Sequence, residues 1–153
     1  GLAGRRILGR TGDPTGRGAR KPTGRGPATW AVAACGGPGP EGSGCEGAGE
    51  EGGEGIARGG HIPGAGNFYW RDALVSEDRP VLKDRDAFRA RLAEAAVDEG
   101  DIVVAYCRTG VMARLVYFVA RSLGCEARIY DGSFIEWSRR GDLPVAVGTT
   151  ERG

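Results

Sequence analysis

Apolar positions are spread unevenly along this chain. They are sparse before residue 59 and fall into regular patterns after residue 84. Ile102 to Tyr106 is a short, nearly continuous apolar run, which predicts a strand covered on both faces. Met112, Leu115, Val116, Val119, Ala120 and Leu123 then recur at i, i+3, i+4, i+7, i+8 and i+11, one face of a helix that Gly124 stops. Upstream, Asp84 or Asp86 can cap a helix running to about Asp98, with Phe88, Leu92, Ala95 and Ala96 on one side and Gly100 at its end. Downstream, Glu126 to Tyr130 reads as a further strand and Asp131-Gly132 as a turn. Ser133 and Glu136 have capping-box spacing for a short helix carrying Phe134, Ile135 and Trp137, closed by Gly141. Gly59 to Ala65 is rich in turn residues and leads into a short extended piece, Asn67 to Trp70. Helix, strand, helix, strand in this order predicts a βαβ unit within a parallel sheet, and the fold class is α/β.

Composition changes the picture for the first third of the chain. Of 29 glycines, 20 lie in residues 1–60, and residues 1–59 hold only Leu2, Ile7, Leu8, Trp30, Val32 and Ile56 as large apolar side chains. So little apolar surface cannot offset the entropy of ordering the backbone, so disorder is expected there. Trp30 to Cys35 is the one stretch of this segment with strand character. Residues 5–26 are basic and glycine-rich, and residues 36–55 acidic and glycine-rich. An arginine–glycine arm for RNA would want interleaved aromatics, and only Trp30 is present, so a solvated tail is the expected reading. The net charge of +1 points to neither nucleic acid nor an acidic membrane as a partner. No signal peptide or bilayer-length apolar run is visible, so a reducing cytoplasmic setting is expected. The first residue is Gly1 rather than Met, which suggests a fragment.

Chemistry concentrates at Cys107. It ends the apolar run, and Arg108-Thr109-Gly110-Val111-Met112 turns the chain into the following helix. Backbone N–H groups and the helix dipole at such a place stabilise negative charge, and the carboxyl ends of strands in an open α/β sheet are where ligands bind. Cys107 is therefore read as a nucleophile. Cys35, Cys45 and Cys125 form no C-x-x-C pair with it or with each other, and His61 is the sole histidine, which argues against a zinc site. Cys125 is expected to be structural and His61 a turn or packing residue. Six residues separate Cys107 from Arg114, whereas cysteine phosphatases use Cys-x5-Arg, so phosphoryl transfer is set aside.

Three segments together resemble the rhodanese family of sulfurtransferases, in particular the catalytic carboxyl-terminal domain of its tandem enzymes. They are Gly60-His61-Ile62-Pro63-Gly64-Ala65, Tyr106-Cys107-Arg108-Thr109-Gly110-Val111, and Tyr130-Asp131-Gly132-Ser133-Phe134-Ile135-Glu136-Trp137, with Leu143-Pro144-Val145 closing the match. The likeness covers residues 59–147, a rhodanese-like domain. It leaves 148–153 as a frayed tail and 1–58 as a low-complexity segment, disordered or mistranslated. The resemblance implies that Cys107 takes a sulfane sulfur from a small anionic donor such as thiosulfate or 3-mercaptopyruvate, becomes a persulfide, and passes the sulfur to cyanide or a thiol. It implies no metal and no organic cofactor. The N–H groups of Arg108, Thr109, Gly110, Val111 and Met112 would cradle the sulfur, and Arg108 would face the donor. Thr109 replaces the second cation that thiosulfate-preferring loops usually carry, but Arg108 does not fit the glycine-serine-glycine loop usual in mercaptopyruvate enzymes, so the resemblance leans towards thiosulfate. Asp131, Glu136 and Trp137 are expected to brace the last helix. Family members also carry an apolar strand ending in Asp-x-Arg ahead of the Gly-His-Ile-Pro turn. Residues 1–58 contain no such motif, so the sheet is expected to be incomplete at its N-terminal strand unless Trp30 to Cys35 substitutes for it. The alternatives to an enzyme are a non-catalytic rhodanese-like binding module and a truncated fragment.

Overall fold

The computed structural model describes residues 29–34, 55–76, 78–95, 97 and 100–147. The proposed low-complexity character of 1–28 and 35–54, and the fraying of 148–153, lie outside the described residues. Four strands form one parallel sheet: β1 (Thr29–Ala33), β2 (Gly66–Asn67), β3 (Ile102–Tyr106) and β4 (Glu126–Ile129), in the order β2-β1-β3-β4. Three helices flank it: α1 (Arg85–Glu94), α2 (Ala113–Ser122) and α3 (Ser133–Arg139). A single 3-10 turn, Trp70–Ala73, follows β2 and replaces the far end of the extended piece expected there.

The expected gap in the sheet is filled. β1 lies at its centre, with all five residues in register against β3, from Thr29 opposite Ile102 to Ala33 opposite Tyr106. The stretch singled out as strand-like is thus the missing member, and disorder does not extend to residues 29–34. The physical reason is that a central strand needs little side-chain bulk when its neighbours supply it. Ala31, Val32, Ala33 and Ala34 are all buried, and their backbone groups bond to strands on both sides. Residues 55–58 are also part of the packed structure. Ile56 is buried, and the Arg58 guanidinium donates to the carbonyls of Ser138, Arg140 and Leu143 at the end of α3.

Alternation along the strands divides the core in two. Val32 and Ala34 of the β1 segment join Val103, Ala105 and Cys107 on one face. There they meet Phe88 and Leu92 of α1 and Val116, Val119 and Ala120 of α2. Ala31, Ala33 and Tyr106 point to the other face, against Ile56, Ile62, Phe134 and Trp137. Each fully buried Phe, Leu or Val contributes about 1.5–3 kcal/mol, so neither face is dispensable. α1 starts as the sequence predicts, with the Asp84 carboxylate accepting from the Ala87 N–H at 2.9 Å. α2 turns Ala113, Val116, Val119 and Ala120 inward, whereas Leu115 and Leu123 are half-buried and Met112 is exposed in the preceding loop. At α3 the capping box is not formed. Ser133 is the first helical residue, and its hydroxyl is used elsewhere. Glu136 instead accepts from the Tyr130 phenol at 2.7 Å.

Chain connections leave β1 toward β2 on one side, and the next strand, β3, lies on the other. Such a switch in direction opens a crevice beyond the carboxyl ends of the two strands, which is the usual ligand position in open α/β sheets. Cys107 is the first residue past β3 at that place.

Candidate active site

The six residues Cys107 to Met112 form the loop between β3 and α2. Cys107 is buried, and its Sγ accepts a hydrogen bond from the Gly110 N–H at 3.0 Å. Gly110 reaches back to the sulfur because its φ is +95°, a left-handed conformation that glycine adopts without steric cost. Its α-carbon also faces the turn after β4 directly. A β-carbon there would lie 3.1 Å from the Asp131 carbonyl oxygen. Gly110→Ala should therefore lower stability by on the order of 1–3 kcal/mol, read as a shift in urea midpoint at unchanged slope.

The remaining loop residues divide by role. The Cys107 carbonyl accepts from the Phe134 N–H at 2.9 Å, and the Arg108 carbonyl from the Ile135 N–H at 3.0 Å. The first turn of α3 therefore holds the base of the loop in place, using N–H groups that have no partner within the helix. Val111 and Met112 form the turn into α2, their carbonyls accepting from Arg114 and Leu115. Both of their side chains are exposed, as is Thr109, while Arg108 is half-buried. Among the N–H groups expected to cradle the sulfur, that of Gly110 donates to Sγ.

Two residues beside the loop have roles that spacing alone did not disclose. Ser133 is fully buried with φ of +49°, and its Oγ accepts from the Cys107 N–H at 3.3 Å while donating to the Tyr130 carbonyl at 2.9 Å. Tyr106 is fully buried, and its hydroxyl accepts from the Ile62 N–H at 3.2 Å, tying β3 to the Gly60–Ala65 turn. Burial pushes the Tyr106 phenol above the ordinary tyrosine range, and the Ile62 bond offsets part of that. The only sequence signal for either role was its membership of the segments that carry the family likeness.

His61 is buried in the Gly60–Ala65 turn, its backbone paired with Ala146 through two hydrogen bonds of 2.9 and 3.0 Å. Burial lowers its pKa below the ordinary 6.5. The unfolded chain therefore takes up this proton first, so the contribution of His61 is intact above pH 6.5 and lost as pH falls below it. Urea midpoints measured from pH 7.5 down to 5 should decline, and less steeply in His61→Gln. Cys125 packs into the core face that α1 and α2 cover. Trp137 donates its indole N–H to the Pro144 carbonyl at 2.7 Å, tying α3 to the chain that follows it. Among the described residues, no helix is long and apolar enough to cross a membrane.

Residues 54–140 match the family described as Rhodanese-like domain. A thiosulfate sulfurtransferase of Azotobacter vinelandii is 37% identical over 92 residues, which is 60% of this chain and 33% of that protein. The 3-mercaptopyruvate sulfurtransferase of Escherichia coli is 37% identical over 89 residues, 58% of this chain and 31% of the other. Among solved structures, Tum1 protein from Saccharomyces cerevisiae superposes with a TM-score of 0.60 at 26% identity, covering 78% of this chain and 40% of that one. The chain spans about a third of the length of the curated relatives it matches.

Proposed function

The chain belongs to the Rhodanese-like domain family, and on that premise we propose that it transfers sulfane sulfur through Cys107. One observation carries the reading. The Gly110 N–H donates to Cys107 Sγ at 3.0 Å, in a loop beyond the carboxyl end of a central strand. A thiolate there has a fixed donor to stabilise its charge, and so has a persulfide terminus bound at the same position.

Thiosulfate is the donor we favour. The Cys107 thiolate attacks its outer sulfur, a new S–S bond forms, the bond inside thiosulfate breaks, and sulfite leaves with the electron pair. A nucleophile such as cyanide then attacks the outer sulfur of the persulfide. Thiocyanate departs, the thiolate is restored, and the cycle is a double displacement with ping-pong kinetics. Arg108 follows Cys107 directly and brings a cation to the loop, suited to an anionic donor. The names of the relatives, a thiosulfate and a 3-mercaptopyruvate sulfurtransferase, support the same reaction class.

A specific feature favours a second reading, a rhodanese-like module that binds without turnover. The β1 segment ends in the small, buried Ala33 and Ala34, and the Asp-x-Arg motif that the family likeness calls for at the end of this strand is missing from residues 1–58. One experiment separates the two. Incubation with thiosulfate should add one sulfur mass to the Cys107 peptide, and cyanide should remove it as thiocyanate. A folded protein whose Cys107 gains no sulfur from thiosulfate or 3-mercaptopyruvate favours the binding module.

A further inference from the structure

We infer that Ser133 is a positioning residue for Cys107, a role that rests on the sulfur-transfer reading but is testable apart from it. Its side chain is set where helix capping cannot explain it. A capping serine stands before the helix and bonds an N–H two or three residues ahead. Ser133 is the first residue of α3, and its hydroxyl turns back to the end of β3 and the end of β4 instead.

The backbone explains why a hydroxyl is needed at this point. β3 and β4 are paired from Ile102 opposite Glu126 to Ala105 opposite Ile129, and the last bond of that ladder runs from the Tyr130 N–H to the Ala105 carbonyl. One step further the strands part, and the Cys107 N–H has no strand partner on that side. It is buried, so it needs an acceptor. Ser133 Oγ fills that place at 3.3 Å and donates its own O–H to the Tyr130 carbonyl at 2.9 Å. A side chain thereby continues the ladder by one rung, under the nucleophile.

Two further observations agree. Ser133 keeps φ at +49°, a left-handed conformation that a side chain rarely adopts, in a site with no solvent exposure. Gly110, which supplies the N–H to Sγ, packs against the same turn. A β-carbon on it would lie 3.6 Å from Ser133 Oγ. Ser133 therefore touches the backbone of the residue that bears the sulfur and stands behind the residue that donates to it. Without the hydroxyl, the peptide between Tyr106 and Cys107 keeps its carbonyl on the Ala34 N–H but leaves its own N–H without an acceptor, and the alignment of Sγ with the Gly110 N–H loosens.

The test compares Ser133→Ala and Ser133→Gly with the parent. Glycine removes the hydroxyl and also relieves the left-handed backbone, so it is expected to fold at least as well as alanine and carries the test alone if alanine does not fold. Alkylation of Cys107 by iodoacetamide at neutral pH, followed by peptide mass, reads the thiol without needing any sulfurtransferase activity. In both variants the Cys107 alkylation rate should fall by about tenfold, because the Gly110 N–H no longer meets Sγ squarely. Cys125 serves as the internal control and should stay as protected as in the parent. Sulfur uptake from thiosulfate should slow by about tenfold or more, as expected for a misplaced reacting group. A glycine variant with the parent's alkylation and uptake rates overturns the proposal, whatever its melting temperature. A parent that takes up no sulfur while alkylation still slows in the variants would overturn the sulfur-transfer reading and leave the positioning role standing.

Discussion

Cys107→Ser is expected to fold like the parent and to take up no sulfur from thiosulfate. Retention of the fold follows from the site. Cys107 is 2% exposed, and a serine hydroxyl can accept the Gly110 N–H where Sγ now does, so its added polar atom is satisfied. The loss of sulfur packing against Val103 and Ala105 should cost about 1–2 kcal/mol, well inside the stability of an ordinary domain. The chemistry does not survive the exchange. A serine hydroxyl without an adjacent base is not ionised near neutral pH, and oxygen is a poor nucleophile toward sulfane sulfur. Intact-mass spectrometry after thiosulfate, and thiocyanate formation on adding cyanide, should both fall to the level of a protein-free blank. Sulfur still bound to the serine variant would move the carrier to another thiol, with Cys125 the first to examine.

The second large effect concerns stability, and it tests the strand on which the sheet depends. Val32 is fully buried in β1, opposite Gly66 of β2 and Ala105 of β3, and its side chain joins the core that α1 and α2 cover. Val32→Asp puts a carboxylate there with no partner. A penalty of about 4–5 kcal/mol or more is expected, a large part of the whole stability of a domain this size. Val32→Ala, which only removes methyl groups, should cost about 2–3 kcal/mol. Circular dichroism during urea unfolding measures both. An aspartate variant with the parent's midpoint would mean that β1 does not occupy the centre of the sheet.

Much of the fold is legible in the sequence wherever one local rule acts alone. The β3 run is a strand because five adjacent positions must be covered on both faces, and its bounds in the structure are those of the apolar run. α1 begins at its predicted acidic cap, and α2 and β4 follow their periodicity to within a few residues. β1 resisted the same treatment. A strand of threonine, tryptophan, alanine and valine, surrounded by glycine-rich sequence, has almost no local signal. Its place comes from backbone pairing with β3 and β2, which no count of apolar residues along one segment can register.

The site divides along the same line. Sequence alone determined that a thiol follows a buried strand, that a glycine stands three residues on, and that a helix comes after, because those facts are consecutive in the chain. Tertiary structure decided what the thiol meets. Ser133 is 26 residues away from Cys107, and its spacing to Glu136 pointed to a helix cap. Only the parting of β3 from β4 left a buried N–H that needed its hydroxyl. A local rule places a side chain in its own turn. A group left unsatisfied at the end of a neighbouring strand, invisible until the sheet is assembled, draws it elsewhere.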